Sequence, residues 1–315
     1  MPLGSPSTPS IGAERLSPYD RAMRVAIATF TGIPPEFADD QRLAAALEGL
    51  GVENERIAWD EPDANWRQFD AVVIRSTWDY SRRRDEFLGW ADSVGECLHN
   101  SAAVLGWNSD KRYLGELAEA GFPTVQTTYV GPGDAIGELK GEIVVKPTIS
   151  AGGRDTGRFG PAAREEARTL IAAIQASGRT AMVQPYEATV DSTGETAVVC
   201  FNGEPSHVLR KRALLRPDEI APVRDDALGA AEIMYDPGLV TAGEASEREL
   251  GFAREIVAHV AERFDYMPLY ARVDMLQDAD GAPLVLELEA VEPNFYLDQV
   301  EGAPQRVAEA IVARL

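Results

Sequence analysis

Short apolar runs alternate with amphipathic stretches along the first third of the chain. Within residues 39–51, Leu43, Leu47 and Leu50 fall on one helical stripe with Gly51 at its end, while the other apolar runs have the length of strands. The predicted elements are a strand at 23–30, a helix at 39–51, strands at 52–59 and 71–76, and a helix near 82–94. This β-α-β-β-α order predicts a doubly wound α/β lobe over residues 23–105.

Past the first lobe the pattern changes, and predicted strands outnumber helices. Ser109 is a typical N-cap residue, so a helix is predicted from about Asp110 to Ala120. Strands are predicted at 124–130, 142–147, 181–186, 196–201, 206–213, 269–276 and 283–290, with helices at roughly 161–177, 246–264 and 302–314. This mixture predicts an α+β region, which we divide into a central subdomain, 106–183, and a C-terminal subdomain, 184–315.

Two segments show little periodicity. Residues 1–22 contain four prolines among Ser, Thr and Gly and lack the apolar core of a signal peptide, so they are predicted to be a disordered leader. Residues 212–245 are interpreted either as a lid over a substrate or as a loose loop.

Two predicted strands near the C-terminus carry charged side chains that alternate with apolar ones. They flank the Asp-Gly pair 280–281, which is typical of a two-residue hairpin turn, so positions whose numbers sum to 561 should pair. The predicted pairs are Arg272–Glu289, Val273–Leu288, Asp274–Glu287 and Met275–Leu286. One face of the hairpin is then apolar, and the other collects three carboxylates and a guanidinium about 5 Å apart.

The charged face of the hairpin has two interpretations. Three carboxylates so close together repel one another unless a cation lies among them, and an open set of oxygen ligands suits Mg²⁺ bound with the phosphates of a nucleotide. Alternatively, the face is simply solvated, and Arg272 forms a salt bridge with Glu289.

A bound phosphate would need cationic partners elsewhere in the chain. Lys146 ends a predicted strand just before the glycine-rich segment 148–159, whose backbone N–H groups can bind phosphate oxygens. Lys111 lies at the start of a predicted helix, and Lys211 follows an apolar strand. Each has an ordinary alternative, since a lysine can lie on the surface and a glycine-rich segment can be merely flexible.

From about Asn108 onward, the chain resembles the ATP-grasp superfamily, especially its glutathione-synthetase-like and D-alanine–D-alanine-ligase-like branch. The resemblance rests on an ordered set of motifs rather than on one. These motifs are "NSDKRYLGELAEAGFPTVQT", "VVKPTISAGGRDTGRF", "MVQPY", "GETAVV", "ARVD" and "ELEAVEP". The "ELEAVEP" form is also similar to the branch that includes the cycloserine cyclo-ligase. The resemblance implies an ATP-grasp fold preceded by the N-terminal α/β lobe.

The resemblance also implies roles for individual residues. The implied ATP-binding residues are Lys111, Lys146, Ser150, Gly152, Gly153, Gln184, Pro185, Tyr186 and Glu195. Arg272 and Lys211 are implied as catalytic groups on the transferring phosphoryl group. Asp274, Glu287 and Glu289 are implied as ligands of two Mg²⁺ ions, for which Mn²⁺ can substitute. Many members have Asn where this chain has Glu289, so that carboxylate is expected either to bind metal or to pair with Arg272.

The activity that the resemblance implies is an ATP-dependent ligation of a carboxylate to an amine through an acyl phosphate, with ADP and phosphate as products. The implied substrate is an amino acid or an amino-acid-like molecule, and the near variant is an intramolecular cyclo-ligase. An ATP-dependent phosphotransferase, which a hydroxyl acceptor would favour, is a second interpretation. The third is a noncatalytic nucleotide- or metal-binding module, against which the complete set of charged residues argues.

Two regions provide candidate substrate-binding residues. Arg75 follows a predicted strand at the carboxyl end, where ligand crevices of α/β sheets lie, and its side chain can hold a carboxylate bidentately with Ser76 and Tyr80 nearby. Alternatively, Arg75 only ties the loop down, and Trp78 packs in the core. Asn294, beyond the metal-binding motif, is the second candidate.

Composition narrows the range of partners. The 315-residue chain has 51 acidic and 30 basic residues and a formal net charge of −21, which repels nucleic acid and anionic membrane surfaces, although a local basic pocket can still bind a small anion. No apolar run approaches the roughly 18 residues of a membrane span. We therefore expect a cytoplasmic protein with a small-molecule substrate and neither nucleic acid nor membrane as partner. A homodimer is expected only because related proteins often dimerise.

Overall fold

The structure is a computed structural model, which describes residues 22–32, 38–222 and 230–315. The predicted leader therefore lies, apart from Ala22, outside the described residues, as do residues 223–229 of the aperiodic segment. The strands are β1 (Arg24–Thr29), β2 (Glu53–Ala58), β3 (Ala71–Ile74), β4 (Leu98–His99), β5 (Thr128–Val130), β6 (Ile143–Pro147), β7 (Gly157–Phe159), β8 (Ala181–Pro185), β9 (Glu195–Phe201), β10 (Glu204–Lys211), β11 (Glu219–Ile220), β12 (Val240–Gly243), β13 (Tyr270–Gln277) and β14 (Pro283–Glu289). The helices are α1 (Ala38–Gly49), α2 (Arg84–Val94), α3 (Ala102–Asn108), α4 (Tyr113–Glu119), α5 (Arg164–Ala176), α6 (Val190–Thr193), α7 (Glu247–Phe264) and α8 (Ala303–Val312).

The first lobe is built on a parallel sheet with the strand order β2-β1-β3-β4. Residues 25–28 of β1 and all of β3 are apolar and fully buried, because both faces of this sheet are covered. Leu43 and Leu47 of α1 pack on one face, and Phe87 and Trp90 of α2 pack on the other. The predicted β-α-β-β-α lobe is confirmed.

The central sheet is antiparallel, with the order β11-β7-β6-β8-β5. Helix α5 covers one of its faces, where Ile171 and Ile174 pack against Ile143 and Val145. Because side chains alternate along a strand, Lys146 then projects from the opposite face of β6. That face is turned toward the third sheet and carries the candidate chemistry.

The third sheet is also antiparallel, with the order β12-β10-β9-β13-β14. Helix α7 packs on one face through Ile256 and Val260, which lie in the same core as Val273 and Leu288. The other face joins a core that the first lobe and α8 share. The predicted mixed α/β architecture is therefore confirmed, while the predicted subdomain limits remain a prediction.

The charged half of the β13–β14 hairpin has the predicted register, but its turn does not. Arg272 pairs with Glu289 and Asp274 with Glu287, whereas Met275 pairs with Val285 and not with Leu286. The turn is a three-residue loop, because the Asp278 N–H donates to Ala282 O at 2.9 Å and Gly281 has the positive φ of 75° that such loops favour. The Asp278 carboxylate accepts two further N–H groups of this loop and fixes it.

A β-bulge separates two pairing registers in the hairpin. The charged pairs keep the predicted register, whereas the pairs nearer the turn are shifted by one residue. The bulge lies between Asp274 and Met275, and it leaves Leu286 as the extra residue on β14. Leu286 packs against the small core of Val125, Val190 and Leu276 and lines the same cavity as Glu287.

The helix predicted over 110–120 is wrong in its first turn. The chain forms α3 and α4 instead, and Ser109 lies at the end of α3 rather than capping α4. Ser101 is the residue that caps α3. Between the helices, the Asp110 carboxylate accepts the Arg112 backbone N–H at 3.1 Å, and this local bond favours a turn over a continuous helix.

No helix among the residues that the structure describes is both long enough and apolar enough to cross a membrane.

Candidate active site

A cavity of about 430 Å³ lies where the three sheets meet, a volume within the usual range of ligand pockets. Of the residues predicted for the site, it is lined by Tyr80, Lys111, Lys146, Ser150, Gly152, Gly153, Gln184, Pro185, Tyr186, Glu195, Lys211, Arg272, Asp274, Glu287, Glu289 and Asn294. Arg75 and Ser76 do not line it. Positions more than 180 residues apart in the chain are thus brought together around one space.

Arg272 and Asp274 form the centre of the charged face. Two parallel hydrogen bonds join them, from Arg272 Nε to Asp274 Oδ1 at 2.8 Å and from Nη2 to Oδ2 at 2.9 Å. Arg272 also donates to Glu289 and, at 3.1 Å, to the carbonyl of Asn294. Lys211, at the end of β10 in the same sheet, donates to Asp274. Burial raises the pKa of the Asp274 carboxyl, but the charges of Arg272 and Lys211 outweigh burial and hold that pKa below its usual value.

Lys111 and Glu287 form a second charged pair at the other side of the cavity. Lys111 Nζ lies 3.2 Å from Glu287 Oε1 and donates to the carbonyl of Ser150 at 2.9 Å. Burial raises the pKa of Glu287, yet Lys111 and Lys146 hold it below the usual range. Lys146 shows the opposite balance, because burial lowers its pKa more than Glu287 restores it.

Three cavity carboxylates, those of Glu195, Glu289 and Glu292, have raised pKa values, with burial as the main cause. Burial raises the pKa of Glu289 in spite of Arg272, and the charge of Glu287 adds to the rise. Burial and Glu289 raise the pKa of Glu292 well above its usual value. Burial also raises the pKa of Tyr80, and the charges of Glu292 and Glu289 add to that rise. Glu292 lines the cavity but was not predicted as a site residue, although it stands inside the quoted "ELEAVEP" motif.

The acidic residues do not form a preformed metal centre. Among residues 22–32, 38–222 and 230–315, no three Asp, Glu, His or Cys side chains are grouped as a metal-binding cluster. Asp274, Glu287 and Glu289 instead contact the neighbouring cations. Their oxygens nevertheless match a hard divalent cation, and phosphate oxygens would supply the ligands that the protein lacks. The set therefore fits Mg²⁺ that arrives with a nucleotide, and the Arg272–Glu289 salt bridge of the alternative interpretation is also present.

The glycine-rich segment closes one side of the cavity. Gly152 and Gly153 have φ angles of 64° and 69°, which favour glycine, and an added Cβ on Gly152 would come within 2.9 Å of Ala230. The Ala231 N–H donates to Gly152 O at 2.7 Å. The described part of the aperiodic segment 212–245 therefore forms a wall of the cavity against this loop.

The segment predicted to lie beside adenine forms the far end of the cavity. Gln184 is buried and donates to Thr127 Oγ1 at 2.9 Å. The ring of Tyr186 stacks under the Arg158 guanidinium, whose central carbon lies 3.5 Å from the ring centroid. Leu286, placed by the β-bulge, supplies apolar surface at the same cavity. Apolar surface with a few polar groups is typical of a small-molecule pocket.

Arg75 lies outside the cavity and fastens the segment that follows β14. It is fully buried, donates from Nη1 to the carbonyl of Pro293 at 2.8 Å, and lies 3.6 Å above the ring of Phe295. Asp39 and Asp40 of α1 flank it at 3.7 and 3.9 Å, and Asp40 accepts from Ser76 at 2.9 Å. These contacts favour the alternative in which Arg75 ties the structure down, and its role as a substrate ligand remains a prediction.

Two of the predicted substrate residues, Tyr80 and Asn294, line the cavity, whereas Ser76 does not. Tyr80 packs against Phe87, with ring centroids 5.4 Å apart, and Trp78 lines the cavity as well as contacting the core of the first lobe. Asn294 accepts the Tyr296 backbone N–H through its Oδ1 at 2.9 Å, which orients the amide beside Arg272. The first lobe and the segment after β14 thus enclose one end of the cavity.

The amino-acid sequence was compared with protein families and with characterised proteins. A family profile described as "D-cycloserine synthetase DcsG, N-terminal domain" matches residues 25–100. Over 286 residues the chain is 34% identical to the cycloserine biosynthesis protein DcsG of Streptomyces lavendulae, and the match covers 87% of this chain and 92% of that protein.

Solved structures agree with the sequence comparison. The crystal structure of D-cycloserine synthetase DcsG superposes with a TM-score of 0.81 and 30% identity, over 92% of this chain and 99% of that chain. The D-alanine–D-alanine ligase of Bacillus anthracis, solved with ATP, superposes with a TM-score of 0.63 and 14% identity, over 93% of this chain and 96% of that chain. The second match shows the fold alone, and together they confirm the predicted ATP-grasp fold.

We predict that Arg75→Met lowers the free energy of unfolding by about 3–5 kcal/mol at pH 7, because it leaves two buried carboxylates without their cation. Burial raises the pKa values of Asp39 and Asp40 and Arg75 opposes that rise, so both values climb further in the variant. An acid whose pKa is raised on folding stabilises at low pH and loses that contribution as pH increases. The deficit measured by urea unfolding should therefore be smaller at pH 5 than at pH 7.

Arg42→Met is the matched control for this prediction, because Arg42 lies on the same helix as Asp39 and Asp40 and is exposed. It should change stability by no more than about 0.5 kcal/mol. An Arg75→Met variant with normal stability and a selectively raised KM for the carboxylate substrate would contradict the tethering role and support direct substrate binding.

Proposed function

The chain belongs to the family of the cycloserine biosynthesis protein DcsG and is an ATP-dependent ligase of the ATP-grasp fold, and we propose that it activates a carboxylate as an acyl phosphate. In this proposal the γ-phosphoryl group of ATP moves to the substrate carboxylate and leaves ADP. A nitrogen then attacks the acyl carbon, and the C–O bond to phosphate breaks as the C–N bond forms. The nitrogen loses a proton, and inorganic phosphate departs.

The observation that carries the proposal is the interleaving of cations and carboxylates around one cavity. Lys111 contacts Glu287, Lys211 contacts Asp274, and Arg272 contacts both Asp274 and Glu289. When a nucleotide binds, each cationic side chain can contact a phosphate oxygen in place of its carboxylate partner. The freed carboxylate could then bind a metal ion. A merely structural ion-pair network would not need to border a cavity of ligand size.

The individual residues support distinct parts of this reaction. Lys111 and Lys146 are placed to hold the α- and β-phosphates, since both border the glycine-rich segment. Lys211 and Arg272 converge on Asp274 and are placed to stabilise the transferring group and the later tetrahedral oxyanion. Asp274, Glu287 and Glu289 would hold Mg²⁺, which when bound neutralises charge on the β- and γ-phosphates.

Protection from water is the second requirement, because an acyl phosphate hydrolyses readily. The glycine-rich segment and residues 230–231 already touch over the cavity. Closure there would exclude water while leaving the substrate end, near Tyr80 and Asn294, in contact with the reacting carboxyl group.

For the substrate, we propose an amino-acid derivative that closes a ring within one molecule. The support is the 34% identity to a cycloserine biosynthesis protein and the 30% identity to a structure of a D-cycloserine synthetase. The ring of Tyr80, which lines the cavity, also suits a substrate that carries an ammonium group. On this proposal the chain takes part in antibiotic biosynthesis.

We predict that Glu287→Gln lowers kcat at least about 100-fold, because it removes a ligand of the metal that stabilises the transferring phosphoryl group. Far-UV circular dichroism should stay unchanged, since Gln keeps the size of the side chain and the strand pairing. Glu138→Gln is the control, because Glu138 is an exposed carboxylate that pairs with Lys140. Undiminished turnover in Glu287→Gln would remove the metal assignment.

Hydroxylamine tests the acyl phosphate directly. We would incubate the protein with Mg·ATP, hydroxylamine and pooled amino acids, amino-acid derivatives and small peptides, and detect hydroxamates and the spent nucleotide by mass spectrometry. A hydroxamate formed together with ADP is the expected result, and its mass names the carboxylate. A hydroxamate formed with AMP would mean adenylation, and a phosphorylated hydroxyl product would mean phosphotransfer; either result contradicts the proposal.

A further inference from the structure

We infer that a second cavity, beside the glycine-rich segment, binds the inorganic phosphate that the reaction releases. The inference rests on the proposed function for the source of the phosphate, and on the structure for the site. The cavity is lined by residues 81–86 of the first lobe, by residues 149–150 and 154–155, and by Ser177 and Arg179. We call it the arginine cavity.

The arginine cavity has a charge opposite to that of the chain. Five arginines line it against three acidic residues, although the whole protein has a formal net charge of −21. The arginines are Arg82, Arg83, Arg84, Arg154 and Arg179. A local excess of positive charge of this kind concentrates small anions even on an acidic protein.

Two of these arginines have no carboxylate at salt-bridge distance among the residues that the structure describes. Arg83 contacts Asp60 and Glu86, and Arg179 contacts Asp155. Arg84, by contrast, donates to two uncharged oxygens, Ser109 Oγ at 2.8 Å and Gly106 O at 2.7 Å.

Arg154 is the second such arginine. It donates to Ser81 Oγ at 2.6 Å and to Ala151 O at 3.4 Å. Within the part of the chain that the structure describes, neither Arg84 nor Arg154 has a carboxylate at salt-bridge distance. Neither guanidinium group is therefore paired directly with a carboxylate of the described residues.

The charges in the arginine cavity repel one another. Burial lowers the pKa of Arg154, and the charge of Arg82 lowers it further, while Asp155 offsets only part of the effect. A phosphate dianion among these groups would remove the repulsion and accept the forked hydrogen bonds that guanidinium groups form.

The position of the arginine cavity identifies phosphate as the anion. Ser150 and Arg154 line both the arginine cavity and the active-site cavity. Lys111, which is proposed to hold the nucleotide phosphates, donates to the carbonyl of the same Ser150. A phosphate ion that leaves the active site past the glycine-rich segment therefore enters the arginine cavity next.

Phosphate in the arginine cavity would also join two parts of the enzyme. Arg154 belongs to the glycine-rich segment, whereas Ser81 and Arg84 belong to the first lobe, and the only direct bond described between them is Arg154 Nη2 to Ser81 Oγ. A bound anion that contacts both sides strengthens that link. The segment would then stay closed until phosphate dissociates.

Equilibrium dialysis of the full chain with radiolabelled inorganic phosphate tests the inference. The active-site cavity is filled beforehand with saturating Mg²⁺ and a non-hydrolysable ATP analogue, so that phosphate cannot bind at the nucleotide site. We expect saturable binding to the wild type, and at least tenfold weaker binding to Arg154→Gln. Arg248→Gln removes one exposed positive charge on α7 and should bind like the wild type.

Arg82→Gln provides a second test in case Arg154→Gln disturbs the loop, because Arg82 is exposed and its loss should also weaken binding. Absence of phosphate binding when the nucleotide site is full, or equal binding by the wild type and both variants, would overturn the inference. Dialysis requires no turnover. A chain that binds phosphate here but never forms a hydroxamate would keep the site and lose the proposed function.

Discussion

The double hydrogen bond between Arg272 and Asp274 is the interaction on which the candidate site depends. Both side chains are almost fully buried, and an isolated buried charge would cost several kcal/mol. Arg272 also contacts Glu289, and Asp274 also contacts Lys211, so the two residues join carboxylates and cations from three strands into one network. The fold tolerates this density of charge because each group has a partner within the network. Catalysis, on the proposed function, requires the same partners to separate when phosphate and metal arrive.

The surrounding structure keeps this network aligned with the first lobe. The β-bulge after Asp274 lets the hairpin turn and the charged pairs keep different registers. Beyond β14 the chain passes between two cores, since Val291 packs in the core of the first lobe and Phe295 in the core shared with the third sheet. Arg75 fixes this segment in place, because it donates a hydrogen bond to the carbonyl of Pro293 and stacks on the ring of Phe295. Cavity residues on this segment are therefore positioned by a buried cation outside the cavity.

The sequence predicted the charged pairs correctly because alternation along a strand is fixed by backbone geometry, and a slip by one residue would bury three carboxylates in the apolar core. It did not predict the bulge, because the Asp278 carboxylate closes a three-residue loop where the Asp-Gly pair suggested a two-residue turn. The break between α3 and α4 was missed for a similar reason, since a side chain of Asp110 competes locally with helix formation. Glu292 and the contacts of Arg75 depend on the packing of segments more than 200 residues apart, and no local pattern encodes that packing.

The most direct test of the central claim is a crystal structure of the protein with Mg²⁺ and a non-hydrolysable ATP analogue. The account predicts that Lys111 leaves Glu287 for a phosphate oxygen, that Arg272 contacts the γ-phosphate, and that the freed carboxylates bind the metal. A nucleotide bound elsewhere, or a nucleotide in the cavity with the Lys111–Glu287 and Arg272–Glu289 pairs unchanged and no metal on the carboxylates, would contradict the account.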